Sequence, residues 1–318
     1  MMVRSRTKEL SSLPNLAELM KARLEGASVS RRPGISGILR LLSCRHTVLR
    51  VSVRLFLTLV RQLFKQPARH GLSASSLGSC ARKLAFDLSG RETEGRVLDS
   101  RSRIVFALGD LWELWLGILL RISLQGTDFS VSHYSPFDPQ KGISFKVGTH
   151  EISGHPDGVL EYRGKPVSLI EIKSMNSFSF GRLQKEGELR ETDPYWWQVQ
   201  GYMLGLNLYH TSFIVLNKDS GFLDCISIDY DPEFPVKLKR HLNRIKWIPS
   251  DSPRELPDGR VLGPEAKLSK KTGLPLKGHG SLPWQCVYCS HHSSCWGSSL
   301  LKSYVHDFRG PRTVLNLR

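Results

Sequence analysis

The 318-residue chain is predicted to fold as an α/β protein, a small mixed β-sheet flanked by helices. Three observations carry that prediction. A long apolar stretch with helical spacing, "RSRIVFALGDLWELWLGILLRISLQG", precedes a series of short β-like runs. Two of those runs, "GVLEYRG" and "PVSLIEIKS", are joined through Arg163-Gly164-Lys165, a turn signal that reads as a hairpin. A second apolar helix, "DPYWWQVQGYMLGLNLY", then separates the hairpin from two further strand-like runs, "TSFIVLNK" and "FLDCISIDY".

Taken in order, residues 1–33 are polar, basic and weakly periodic, and are expected to form a mobile lead-in. Residues 35–66 place Ile38, Leu42, Leu49, Val53, Phe56, Val60 and Leu63 near helical spacing, a basic amphipathic helix or pair of helices. Arg40, Arg45, Arg50, Arg54 and Arg61 interrupt that stretch, so no uncharged run of about eighteen residues exists to span a membrane. Three readings of it stand side by side: a helix covering the core, an arm that holds DNA or a partner, and a membrane-surface helix. Ser73-Ala74-Ser75-Ser76 offers the N-cap region for a helix bearing Cys80. The long apolar helix is ended by Gly126. "GISFKVG" reads as a strand, and Asp193 caps the second apolar helix with Pro194 at its first position. "DPEFPVKLKRHLNRIKWI" is helical, and a polar loop runs from there to Trp284. The expected division is an N-terminal extension over 1–70, a main domain over 71–297 and a C-terminal tail over 298–318.

The formal charge of +16 points to a polyanionic partner, but its distribution matters more than its sum. Residues 1–70 hold fourteen Lys and Arg against three Asp and Glu, so +11 of the charge lies there. The remainder is only +5, which leaves room for a site built from carboxylates. Six cysteines in a chain of this length, three of them at metal-like spacing, do not describe a secreted disulfide scaffold. With no cleavable signal sequence at its start, the chain reads as a protein of a reducing cytoplasm.

The chemistry concentrates around Asp157 and the run Glu171-Ile172-Lys173, fourteen to sixteen residues further on. Two carboxylates can hold a hard divalent cation through oxygen. Such a cation polarises a phosphate and acidifies a bound water, while an adjacent ammonium orients the water or steadies developing negative charge. Glu171 and Lys173 lie two apart on a strand and therefore face the same side. Upstream, Gly109 is followed four residues later by Glu113; downstream, Gln198 and Tyr202 stand four apart on one helix face, with Tyr195 just before them.

The order Glu113, Asp157, Glu171/Lys173, Gln198/Tyr202 resembles the PD-(D/E)XK nuclease superfamily, in particular its RecB-like branch. That resemblance covers roughly residues 71–297 and implies a restriction-endonuclease-like core. It implies that Asp157, Glu171, the backbone carbonyl of Ile172 and Glu113 bind Mg2+ or Mn2+, with Lys173 as the fourth catalytic group. Two ions about 4 Å apart would hold the attacking and leaving oxygens. Gln198, Tyr202 and Tyr195 are implied as substrate positioners, and Tyr195 or Trp197 could stack on a nucleobase. His155 is read as a turn residue or a contact to backbone phosphate.

"WQCVYCSHHSSCW" carries Cys286, Cys289 and Cys295, and Cys80 lies just ahead of the first family helix. One cysteine before the core and three after it resembles the iron–sulfur subgroup, which includes AddB-type helicase-nucleases, CRISPR-adaptation nucleases and phage exonucleases. The resemblance implies a structural 4Fe–4S cluster on Cys80, Cys286, Cys289 and Cys295, an iron–sulfur clasp joining the N- and C-terminal parts. Zinc is the competing occupant, since His291 and His292 could complete a local set without Cys80. Cys44 and Cys225 read as ordinary buried thiols.

The function so implied is a metal-dependent exonuclease acting on single- or double-stranded DNA ends in replication, repair or recombination, in a prokaryotic or phage-infected cell. The chain has no Gly-x4-Gly-Lys-Ser/Thr loop, so unwinding would come from a helicase or recombination partner. Two alternatives are a CRISPR-adaptation end-trimming nuclease and a non-catalytic DNA-binding clasp.

Overall fold

The computed structural model describes residues 13–25, 53, 71–90, 100–133, 142–263, 265–268, 275–281, 283–287, 289–296, 301–307 and 310–316. Apart from Val53, the expected amphipathic helix over 35–66 lies outside them, as does Cys44. In chain order the elements are α1 (Leu16–Leu24), β1 (Leu72–Ser73), a 3-10 turn (Ala74–Ser76), α2 (Ala81–Leu88), α3 (Ser100–Ser123), β2 (Phe129–Ser132), β3 (Ile143–Val147) and β4 (His150–Gly154). They continue with β5 (Gly158–Tyr162), β6 (Lys165–Met175), α4 (Ser177–Glu186), α5 (Pro194–Leu206), β7 (His210–Asn217), β8 (Leu223–Asp229) and α6 (Phe234–Leu242). The chain ends with β9 (Glu265–Leu268), β10 (Pro275–Ser281), α7 (Trp284–Val287), α8 (His292–Trp296), β11 (Leu301–Asp307) and β12 (Gly310–Asn316).

The centre is a five-stranded mixed sheet in the order β2-β5-β6-β7-β8, with β6 and β7 parallel and the other pairs antiparallel. The β5–β6 hairpin turns on Arg163 and Gly164, both at positive φ (49° and 75°), the conformation a two-residue hairpin turn requires. Side chains alternate across β6 and β7, so each strand feeds two cores. Leu169, Met175, Phe213 and Val215 pack with Trp197, Val199 and Tyr202 of α5 and with Phe234 and Leu238 of α6. Ile170, Ile172, Ile214 and Leu216 pack on the other face with Leu116, Leu119 and Leu120 of α3. Period two on the strands thus sandwiches the sheet between helices.

Several expectations need correction. Residues 1–33 were expected as a mobile lead-in, but α1 lies within them, capped by Asn15, whose Oδ1 accepts from the Glu18 amide at 3.1 Å. Leu16, Ala17 and Met20 of α1 are fully buried in the second core. Burial of three apolar side chains outweighs the polar average of the segment. Cys80 is the N-cap of α2 rather than a residue in its body. Asp193 does precede α5, yet its carboxylate accepts from Arg182 at 3.2 Å and from the Arg190 amide at 3.2 Å instead of capping the helix. The polar loop expected up to Trp284 contains β9 and β10, and the tail from 298 contains β11 and β12, together a four-stranded antiparallel sheet. "GISFKVG" gains a partner strand, β4, in a three-stranded sheet of order β1-β4-β3. Among the described residues, no helix is long and apolar enough to cross a membrane.

This second sheet is pressed against α5. A Cβ on Gly154 at the end of β4 would stand 2.7 Å from Cε1 of Tyr202, and one on Gly201 2.6 Å from Cδ1 of Leu77. Glycine at both positions allows the approach.

Candidate active site

β5 and β6 stop pairing at Gly158 opposite Ile170, while β6 runs on to Met175 beside β7. The amide of Ile172 therefore lies past the end of β5. It donates to Oδ2 of Asp157, the residue just before that strand, at 2.8 Å. A carboxylate replaces a strand as the hydrogen-bond acceptor, as a buried amide requires. Asp157 is thereby fixed at the splay between the two strands.

Glu171 and Lys173 share the face of β6 turned toward α5. Lys173 Nζ donates to Oε1 of Glu171 in a very short contact and stands 3.9 Å from Oδ2 of Asp157. Gln198 Nε2 donates to the same Glu171 oxygen at 2.6 Å. The second oxygen of Glu171, Oε2, is buried without any hydrogen-bond partner. Lys173 Nζ also lies 5.6 Å from the centre of the Tyr195 ring, a cation–π contact.

Electrostatics set this group apart. Glu171 is fully buried, and desolvation together with Asp157 pushes its carboxyl up to about 8 against the pull of Lys173. Glu113, from α3, is likewise pushed up to about 8, by burial first and then by Asp157 and Glu171. Asp157 is raised by burial, against Lys173 and the Ile172 amide. Burial alone would lower Lys173, but the surrounding carboxylates reverse that and raise it further. Three carboxyl groups thus share one ammonium, an arrangement short of positive charge.

The structure therefore brings together Glu113, Asp157, Glu171, Ile172, Lys173, Gln198 and Tyr195. Tyr202 is buried; its hydroxyl donates to the carbonyl of His155 at 3.0 Å, which ties α5 to the turn leading into Asp157. His155 itself is exposed. Stacking of Trp197 on a nucleobase is overturned: it is 1% exposed, packed on Phe234, and its indole N–H donates to the carbonyl of Glu191 at 2.8 Å. Among the described residues, no three His, Cys, Asp or Glu side chains stand ready in ion-holding geometry. The fit to a divalent cation rests instead on the charge shortfall, the oxygen donors and the unpartnered Glu171 oxygen.

The second grouping is sulfur. Cys80, Cys286, Cys289 and Cys295 line a single cavity of about 230 Å³, together with Lys83, Arg254, His291 and Trp296. None of the four is in a disulfide. Burial raises Cys80, and it pushes Cys289 up to about 11 and Cys286 up to about 12; the neighbouring thiols add to each shift. Four cysteines lining one cavity supply the donor set of a thiolate-bound metal group, which would bind them deprotonated, although no three of them stand in ion-holding geometry as they are. His291 is turned away from a zinc-like role at Nε2, which pairs with Oδ1 of Asp87 at 2.8 Å while the ring stacks on Phe86.

Sequence reasoning missed Arg254, which touches Cys295 from 41 residues away. It also missed the tie of Gln198 to Glu171, which no spacing rule connects.

Compared with known proteins, the chain matches no family model and no curated sequence. Among solved structures it is similar to LHK-Exo in complex with dAMP, at 17% identity and a TM-score of 0.38, over 54% of this chain and 84% of that one. A structure described as an alkaline exonuclease, LHK-Exo, from Laribacter hongkongensis gives 15% identity and a TM-score of 0.37, over 55% and 86%. The protein SSO0001 gives 16% identity and a TM-score of 0.41, over 77% and 95%. Likeness at this level assigns neither family nor activity; the residues themselves must carry the functional reading.

Proposed function

We propose that the chain is a metal-dependent deoxyribonuclease of the PD-(D/E)XK type, an exonuclease that hydrolyses phosphodiester bonds at DNA ends. The observation that carries the reading is the set Glu113, Asp157 and Glu171 gathered around one lysine where β5 and β6 part, with a buried Glu171 oxygen left unpartnered. Glu113, Asp157, Glu171 and the carbonyl of Ile172 would hold Mg2+ or Mn2+. When bound, the cation supplies a polarised phosphate and an acidified water.

The chain's own residues do the rest. Lys173, held between Glu171 and Asp157, offers N–H groups to the attacking water or to the phosphate oxygens as negative charge builds there. Gln198 holds the Glu171 carboxylate from α5, and Tyr202 holds the turn that carries Asp157. Tyr195, packed on Phe213 and beside Lys173, screens the ammonium on its flank. Water is the nucleophile, so no covalent intermediate forms. The four thiols would carry a structural 4Fe–4S cluster that clasps the start of the domain to its end. DNA replication, repair or recombination in a prokaryotic or phage-infected cytoplasm is the setting, with a helicase or recombination protein as partner.

The test is digestion of linear and closed circular DNA with Mg2+, by wild type and Lys173→Ala. Wild type should consume the linear form and spare the circle. The variant should be slower by about 10²–10³-fold, as for loss of a transition-state donor. Equal rates for the two proteins overturn the assignment of Lys173, and digestion of the circle overturns the exonuclease reading.

A further inference from the structure

We propose that Arg254 is the charge-compensating positioning residue of the four-thiol site, holding the Cys295 thiolate when a metal group is bound. The proposal rests on the reading of Cys80, Cys286, Cys289 and Cys295 as one metal site.

The geometry is specific. Arg254 Nε donates to Sγ of Cys295 at 3.2 Å, and Nη2 of the same guanidinium donates to the Cys295 carbonyl at 2.8 Å. The two bonds lock both ends of one residue with one planar group, which a lysine could not do. The guanidinium lies 4.0 Å from the centre of the Trp296 ring, so its orientation is set by stacking as well. Among the described residues it pairs with no carboxylate, so the sulfur is the group toward which its charge is directed.

Arg254 also sits where a clasp needs a fixed point. The first amides of a helix have no partner within it. In α2 those of Ala81 and Arg82 are taken by the carbonyls of Glu255 at 2.9 Å and Pro253 at 3.1 Å, the two neighbours of Arg254. Arg82 Nε adds a bond to the carbonyl of Ser252 at 2.7 Å. Glu255 is in turn held by Arg244 at 3.1 Å, and the Leu262 amide donates to the Arg254 carbonyl at 2.7 Å. The strap 252–256 is thereby bonded to the residues just after Cys80 while its central side chain grips Cys295. Arg254 couples the cysteine that opens the domain to the one that closes it.

A cation donating to a ligating sulfur stabilises the more negative state of the metal group and slows departure of the thiolate. Hydrogen bonds to sulfur are a recognised lever on reduction potential. Arg254→Gln keeps an amide donor but removes the charge; Arg254→Lys keeps the charge but loses the paired contact.

The experiment uses the full chain purified without oxygen. It measures iron, sulfide and zinc content, visible absorption, the reduction potential where iron is found, and the rate of metal loss to EDTA. Wild type should carry metal. Both variants should lose it at least tenfold faster. For an iron–sulfur group, Arg254→Gln should fall in potential by at least the equivalent of a tenfold change in the one-electron ratio, about 59 mV. Metal loss and potential unchanged in both variants of a loaded protein overturn the proposal and leave the four-thiol reading standing. A wild type holding neither iron nor zinc overturns both. Should Arg254→Gln fail to fold, Arg254→Lys decides by the rate of metal loss alone.

Discussion

The crowding of carboxylates makes a quantitative forecast for Glu113→Gln. The Glu113 carboxyl is pushed from its ordinary 4.5 up to about 8. A folded pKa above the unfolded one means that the native state binds the proton more tightly between those values. The resulting stability is present below about 4.5 and is lost as pH rises through about 8. At about 1.36 kcal/mol per unit, full ionisation of Glu113 costs on the order of 5 kcal/mol. The side chain is only half-buried, so water relieves part of this, and about 2 kcal/mol is the working figure. Glutamine removes the charge and keeps the shape. Without divalent cation, the variant and wild type should melt together at pH 5, and the variant should melt higher by roughly 4–8 °C at pH 9. Excess Mg2+ should reverse the order, since wild type would gain about 2.7 kcal/mol at a hundredfold over its dissociation constant and the variant less. Thermal unfolding across pH 5–9, in EDTA and in Mg2+, reads all of this. Parallel curves in EDTA would refute the carboxylate crowding itself, and a wild type indifferent to Mg2+ would refute the cation site.

Two smaller changes probe how the site is held. Tyr202→Phe deletes one hydrogen bond to the His155 carbonyl, so it should cost about 1 kcal/mol of stability. The loosened turn before Asp157 should also slow DNA hydrolysis by roughly tenfold, equivalent to about 1.4 kcal/mol of barrier. Unchanged turnover in a measurably destabilised variant would divorce that turn from the chemistry. Gly78→Ala and Gly201→Ala place a methyl equally close to a neighbour, 2.6 Å in each case, but the neighbours differ. At Gly78 the obstacle is the Pro194 backbone, so a loss of about 1–3 kcal/mol is expected in denaturant unfolding. At Gly201 it is the tip of Leu77, which can rotate, and alanine recovers about 1 kcal/mol of helix propensity, so the change should be near neutral. A reversed ranking would show that α5 is not seated as described.

Much of the candidate site's geometry was legible because its residues lie on regular elements. Period two put Glu171 and Lys173 on one face of β6, and the hairpin signal at Arg163-Gly164 put Asp157 near them. The 3.6-residue period of α5 placed Gln198 and Tyr202 on the same side but could not say that Trp197 is core, since aromatic residues cover both faces of that helix. What escaped notice was short or weakly apolar. β4 buries a single apolar side chain, Ile152, and α4 buries only Phe180 and Leu183. α1 shows its apolar face only when α3 and the sheet are present to receive it. The strap around Arg254 has no periodic signature at all, because its bonds run to residues far away in the chain.

The two chemical groupings share a structural element, because α5 contributes residues to each. Pro194, its first residue, lines the thiol cavity and meets the backbone of Gly78, two residues before Cys80. Gln198 and Tyr202, one and two turns further on, grip Glu171 and the turn before Asp157. At about 1.5 Å rise per residue, Pro194 and Tyr202 are some 12 Å apart along one rigid rod. The rod has little freedom to move. Trp197 and Val199 are only 1% and 0% exposed in the main core, and the helix closes on Asn207 in the left-handed conformation. Close-packed interiors transmit displacement rather than absorb it. Pro194 against Gly78 at one end and Gln198 and Tyr202 at the other thus make α5 a shared support of the α2 start and of the carboxylates. The glycines at 78, 154 and 201 fit that placement: each leaves out a side chain where another element touches α5 or its Tyr202, so that one helix can pack against both groupings.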